Sequence, residues 1–214
     1  MIEDLIKKIG EFYELSEIKN DEFSHLEVSR MEFDVKAYDA MCLGRVSYMK
    51  AKGMMGLMNM ESLIINPFEI DVPLFSLDLI KVLGKYTLCM EMYDTLANEN
   101  RKEDAFNAIK KEYDHFEDFV TKERWYDAIR YRSSMAKKFK KKDLDTLTEL
   151  IDRYFEIYLD QCKDARLCDR DMKKHKADQY RDGLLENGGP AVDTFLKAWG
   201  KEKTKRFFEE VLFG

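Results

Sequence analysis

Apolar residues recur along the chain with two different periods. Ile2, Leu5, Ile6, Ile9, Phe12 and Tyr13 follow the i, i+3, i+4, i+7 stripe of an amphipathic helix. After Asn20-Asp21 the period falls to two. Leu26 and Val28 alternate with polar neighbours, and Met31, Phe33, Val35 and Ala37 continue in the opposite phase. A phase slip at Ser29-Arg30 predicts a bulge or a turn there. Residues 46–52, 57–66, 74–83 and 86–94 are further strands by the same criterion. From about residue 101 the longer period returns. Phe106, Ile109, Tyr113, Phe116 and Val120 form one stripe, and Leu144, Leu147, Ile151, Tyr154, Phe155, Tyr158 and Cys162 form another behind Asp143, a good N-cap. Pro190 suits the first turn of a short helix that Gly200 ends, and residues 201–212 make the last helix.

Strands in 23–94 followed by helices in 101–213 predict an α+β fold, an antiparallel sheet packed by helices. No internal repeat and no linker divides residues 1–214, so a single domain is expected.

The hairpin of 74–83 and 86–94 carries the candidate chemistry. Gly84-Lys85 suits a two-residue type II′ turn, which sets Leu83 opposite Tyr86. Counting back sets Asp78 opposite Glu91 and Ser76 opposite Tyr93, all on one side of the sheet. The other side, Phe75, Leu77 and Leu79 against Leu88, Met90 and Met92, is a dry core face. Two carboxyls buried together force one to keep its proton near neutral pH, and a protonated acid beside a tyrosine hydroxyl can deliver protons. Alternatively, this face is solvated and the acids are incidental. Met49, Met54, Met55, Met58 and Met60 offer a soft apolar surface for a flat ligand or ordinary core packing. Arg45, Lys50 and Lys52 either hold ligand carboxylates or are solvated.

Composition narrows the class. The chain has 214 residues and a net charge of −6. Residues 1–100 hold 10 basic and 18 acidic residues, whereas 101–214 hold 26 and 24. Overall acidity argues against nucleic acid as the main ligand, and the basic back half offers a face to an acidic partner. The run Lys137, Lys138, Lys140, Lys141, Lys142 is that face's densest part, or else a solvated connector. No apolar run approaches the ~20 residues of a membrane span, and the acidic N-terminus lacks the order of a signal peptide, so a soluble cytoplasmic protein is expected. The four cysteines lack C-x-x-C spacing and the three histidines stand far apart, so no metal site is expected. There is no G-x-G-x-x-G, P-loop or G-x-S-x-G. Any redox chemistry therefore takes its electrons from outside.

The segment Asp71-Val72-Pro73-Leu74-Phe75-Ser76-Leu77-Asp78 resembles the D-x-P-x-F-x-x-D stretch of the ferredoxin-dependent bilin reductases. The C-terminus, from Phe195-Leu196-Lys197-Ala198-Trp199-Gly200 to Val211-Leu212-Phe213-Gly214, is similar to that family's last helix pair and its V-L-F-D ending. Residues 133–159 resemble its middle helical part more loosely. The resemblance implies an α/β/α sandwich around a central antiparallel sheet, with a linear tetrapyrrole such as biliverdin lying between the sheet and the C-terminal helices. It implies reduction by successive single electrons from ferredoxin, through bilin radicals, with no bound cofactor. It sets the family's catalytic acid on Asp78 and a second acid on Glu91. Ser76, Tyr93, Arg45, Lys50, Glu61 and Asn187 are the further candidates for contact with the substrate, and the lysine run for contact with ferredoxin. Where many members carry a pocket His, this chain has Ser62 or Leu63, with Glu61 adjacent. The related red chlorophyll catabolite reductases also lack that His, so a tetrapyrrole other than biliverdin is open. A tetrapyrrole-binding or carrier protein without catalysis is the alternative on the same fold, and an interaction protein that kept only the fold is a third.

Overall fold

Eight antiparallel strands form one sheet in a computed structural model that describes residues 1–98 and 100–214. The strands are β1 (Leu15–Glu17), β2 (His25–Val28), β3 (Met31–Ala40), β4 (Gly44–Gly53), β5 (Met58–Pro67), β6 (Leu74–Val82), β7 (Lys85–Tyr93) and β8 (Met135–Lys140). They run in the order β1-β3-β4-β5-β6-β7-β8, with β2 paired to β3. The helices are α1 (Ile2–Gly10), α2 (Asp104–Glu112), α3 (Leu144–Asp164), α4 (Arg170–Asn187) and α5 (Pro190–Phe207). A final π-type turn spans Phe208–Phe213.

The helices sort onto the two faces by the residues they bury. On one face, Ile2, Leu5 and Ile9 of α1, Phe106 and Ile109 of α2 and the α3 stripe pack on Leu63, Phe75, Leu77, Leu88 and Met90. On the other, Tyr180 and Leu185 of α4, Val192 and Phe195 of α5 and the terminal Phe207–Phe213 segment pack on Phe33, Val35 and Met49. The result is the expected α/β/α sandwich. The phase slip at Ser29-Arg30 is a two-residue turn with φ of 52° and 64°, and α5 breaks at Gly200, where φ is 76°.

Three local readings need correction. The stripe through Val120 is not one helix: α2 stops at Glu112, Tyr113 and Phe116 still pack, and Val120 is exposed. The lysine run is not a solvated connector. Residues 135–140 form edge strand β8, with Met135, Lys137 and Phe139 buried and Lys138 and Lys140 outward. The 117–119 segment covers the outer edge of this strand: Lys138 N donates to Glu117 O at 2.8 Å and Phe119 N to Ala136 O at 2.9 Å.

The third correction concerns the β6–β7 turn. Its central residues are Leu83 and Gly84, with φ of 50° and 78°. Two positive φ values make a type I′-like turn and set Val82 opposite Lys85. Asp78 therefore faces Cys89, Ser76 faces Glu91 and Leu74 faces Tyr93. The slip amounts to two residues, so every side chain keeps its expected face. Asp78 and Glu91 become diagonal neighbours instead of direct partners.

Candidate active site

The face of the sheet opposite α3 carries a continuous cross-strand row. Val35, Met49, Ser62, Asp78, Cys89 and Ala136 stand in register on β3 to β8. The row above it holds Ser47, Ile64, Ser76 and Glu91. Between these rows and the helices α4 and α5 lies a cavity of about 630 Å³, within the range that holds a drug-sized ligand. Its apolar wall includes Met49, Met58, Met60, Ile80, Phe195 and Phe208. Three of the five methionines singled out in the sequence thus line it, whereas Met54 and Met55 project into solvent.

Asp78 lies on the sheet floor of this cavity. Ser62 donates a hydrogen bond to its Oδ1. The carboxyl opens to the cavity but protein encloses it elsewhere, and loss of hydration pushes its pKa up to about 6. The Ser62 hydrogen bond works against this rise, and the Glu91 charge adds to it. Glu91 sits in a different setting. Arg130 Nη1 donates to its Oε1 at 2.8 Å, and the Tyr93 hydroxyl donates to its Oε2 at 2.8 Å. Arg130 is held in turn by Asp127 at 3.0 Å. The two carboxyls are therefore unlike: one has a single neutral donor and the other a guanidinium and a phenol.

Tyr93 packs its ring 4.4 Å from that of Tyr180, and burial pushes both hydroxyls well above the usual phenol range. Tyr180 comes from α4, which Lys173 pins to the sheet. The Lys173 ammonium is buried and donates to Thr95 O at 2.8 Å, to Thr95 Oγ1 at 2.9 Å and to Val72 O. Burial draws its pKa down to about 8.

The sequence candidates divide cleanly. Asp78, Glu91, Ser76 and Tyr93 all line the cavity. Arg45 does not: it donates to Glu210 O at 2.7 Å and Val211 O at 3.2 Å and pairs with Asp39 at 3.1 Å. With Ser47 on Leu212 O and Asn66 on Phe213 O, it stitches the C-terminal turn to the sheet. Lys50 and Glu61 are register partners on the α1 face, where Glu61 accepts from Ile2 N at 3.2 Å. Asn187 is exposed at the end of α4 and donates to Gly183 O. Lys137 is buried, paired with Asp118 at 2.8 Å and Asp114 at 3.5 Å, at the edge of the cavity. Lys138, Lys140, Lys141 and Lys142 remain on the surface, Lys138 joined to Glu117.

Arg130 and Tyr180 escaped the sequence reading. Arg130 lies in a segment without periodicity, so nothing marked it. Tyr180 had a signal, since Ala177, Tyr180 and Leu184 fall at i, i+3 and i+7 inside an otherwise charged helix. Among the described residues no group of three or more His, Cys, Asp or Glu is placed to hold a metal ion, and no helix is long and apolar enough to cross a membrane.

The fold is similar to that of phytochromobilin synthase from tomato, solved in complex with biliverdin. The TM-score is 0.73 at 14% identity, covering 96% of this chain and 79% of that one. No match to an individual curated protein is significant. Residues 3–214 match the ferredoxin-dependent bilin reductase profile over nearly the whole chain. A match of that extent places this chain in the ferredoxin-dependent bilin reductase family of oxidoreductases.

Proposed function

We propose that the chain reduces a linear tetrapyrrole held in the cavity, with electrons from ferredoxin and a proton from Asp78. The observation that carries this reading is the asymmetry of the two carboxyls. Asp78, with a pKa raised to about 6, keeps a proton in part of the molecules near neutral pH, while Arg130 and Tyr93 hold Glu91 as their acceptor. Ser62 donates to one oxygen of Asp78, which leaves the other free to carry the proton toward the ligand.

Reduction of one double bond takes two electrons and two protons. Ferredoxin gives one electron at a time, so the first transfer makes a bilin radical. A radical anion is more basic than its parent, and a neutral acid within hydrogen-bonding reach protonates it as charge develops. Asp78 gives the first proton, takes another from solvent and gives that one as the second electron arrives, so two protons and two electrons enter per turnover. The methionine wall conforms to a flat, flexible ligand and keeps water from the radical. Ferredoxin is an acidic protein, and the exposed Lys138, Lys140, Lys141 and Lys142 supply charge of the opposite sign.

The test is spectroscopic. Biliverdin added to the purified protein is expected to shift its visible band, and reduced ferredoxin is then expected to bleach it. A shift without bleaching identifies a tetrapyrrole-binding or carrier protein instead, and no shift with several linear tetrapyrroles sinks both readings.

A further inference from the structure

One end of the sheet breaks local rules in a way the cavity does not explain. Three large apolar residues there adopt left-handed backbone: Met54 with φ of 51°, Met55 with 53° and Leu83 with 50°. For such residues that conformation is unfavourable, and Asn or Gly is the usual occupant. The cost is not recovered by burial. Met55 is fully exposed, Leu83 is 68% exposed and Met54 54%. Leu57 beside them is half exposed, and its carbonyl accepts from Leu83 N at 3.2 Å, so the β4–β5 and β6–β7 turns form one apolar tip. Side chains that neither suit their turns nor bury themselves point to a role outside the fold.

The surroundings of the tip are basic. Register sets Met58, Val82, Lys85 and Lys140 in one row at this end, and Lys81 and Lys52 one row inward. Lys141 and Lys142 follow β8 directly. Among the described residues none of these six lysines pairs with a carboxylate, in contrast to Lys137 and Lys138 of the same run. The acids of this end are Glu27 and Glu32 in the row of Lys52, Glu117, which is joined to Lys138 and whose charge also reaches Lys85 and Lys140, and Asp143, whose carboxylate is turned onto Lys140 N. An exposed positive end on a chain of net charge −6 is a local arrangement against the overall sign. The tip also abuts the cavity, because Met58, next in the chain after Leu57, lines it.

We infer that this lysine-ringed apolar tip is the docking surface for ferredoxin, with Met54, Met55, Leu57 and Leu83 as its centre. The inference rests on the reductase reading above and names the surface that reading leaves open. An apolar centre inside a charged rim is the ordinary anatomy of a protein interface, and the rim steers an acidic partner. Docking here sets the donor against the methionine wall that touches the bilin.

The test uses the full chain and a purified [2Fe–2S] ferredoxin, with an acidic protein of similar size lacking the cluster as control. The variant Met54→Asn/Met55→Asn/Leu83→Asn removes the apolar centre and places Asn where the backbone favours it, so its melting temperature should hold or rise. Its Kd for ferredoxin, by calorimetry at low salt, is expected to rise ~10-fold or more with an unchanged salt slope. A second variant, Lys81→Gln/Lys85→Gln/Lys140→Gln/Lys141→Gln/Lys142→Gln, is expected to weaken binding and flatten the salt dependence. Wild-type affinity in both variants, absence of binding by the wild type, or equal binding of the control protein overturns the inference. Calorimetry needs no bilin. If ferredoxin binds as expected but bilin is never bleached, the reductase reading fails and the docking surface stands.

Discussion

The two faces of this sheet are built from alternate residues of the same strands, yet one is solid and the other hollow. On the α3 face Phe75, Leu77, Leu88 and Met90 are fully buried against Tyr154, Phe155 and Tyr158. The Phe75 and Tyr158 rings stack at 4.7 Å. On the α5 face the residues between them, Ser62, Ser76, Asp78 and Glu91, border an unfilled volume of about 630 Å³. Close packing holds the strands in register, and that fixed register lets polar groups stand at a cavity without collapsing onto each other. Folding strength and chemistry are therefore separated by the two-residue pleat.

Five substitutions sharpen or break that separation. Asp78→Asn should have the largest effect: bilin still binds, but turnover falls ~10²–10⁴-fold, the usual worth of a general acid. In the wild type, turnover should decline as pH rises through about 6, when Asp78 loses its proton. The same group has a sign for stability. Its pKa is raised from 3.8 to about 6 on folding, so the folded state binds the proton more tightly and wild-type stability falls as pH rises across that window. Asp78→Asn should thus be more stable than wild type at pH 8, by up to ~3 kcal/mol, with the gain lost as pH falls from about 6 to about 4. Full activity of the Asn variant would return the proton donor to Glu91 or solvent.

Next comes the solid face. Phe75→Ala should cost ~3–5 kcal/mol in chemical denaturation, while Met60→Ala, on the cavity wall, should cost under ~1.5 kcal/mol and change the bilin spectrum instead. Equal costs at the two positions would mean that the hollow face collapses and refills in solution.

Glu91→Gln tests the diagonal pair. It removes a charge that helps raise the Asp78 pKa, so the alkaline limb of the pH–rate profile should move toward lower pH. A limb that stays in place would show that desolvation alone sets Asp78. The smallest effect belongs to Glu61→Gln on the α1 face: roughly 0.5–1 kcal/mol of stability, from a weakened bond to Ile2 N, with turnover intact. Lost turnover there would contradict the face assignment.

The period-two pattern over 26–94 made six of the eight strands legible, and alternation within them made the dry and polar faces legible too. It also marked Asp78, Glu91, Ser76 and Tyr93 as residues of one face. That information is local, because a strand's pleat assigns each side chain to a face whatever its partner. The short strand β1 and the edge strand β8 escaped, the latter because buried Lys137 breaks its alternation. Most of α4 escaped because charges crowd its apolar stripe.

What the sequence by itself determined was therefore the α+β order, the family and the side of the sheet on which the acids stand. What only the tertiary structure decided was their partners. The Leu83-Gly84 turn slid the β6–β7 register by two residues, moving Glu91 from directly opposite Asp78 to a diagonal position. Arg130 arrived from a loop 39 residues away in the chain to pair with Glu91, and Ser62 from β5 to meet Asp78. Arg45, Lys50 and Glu61 had the right chemistry for a ligand and were placed elsewhere. A charged side chain's identity states what it can bind, but burial and the nearest donor decide whether it keeps a proton, and both are set by segments distant in sequence.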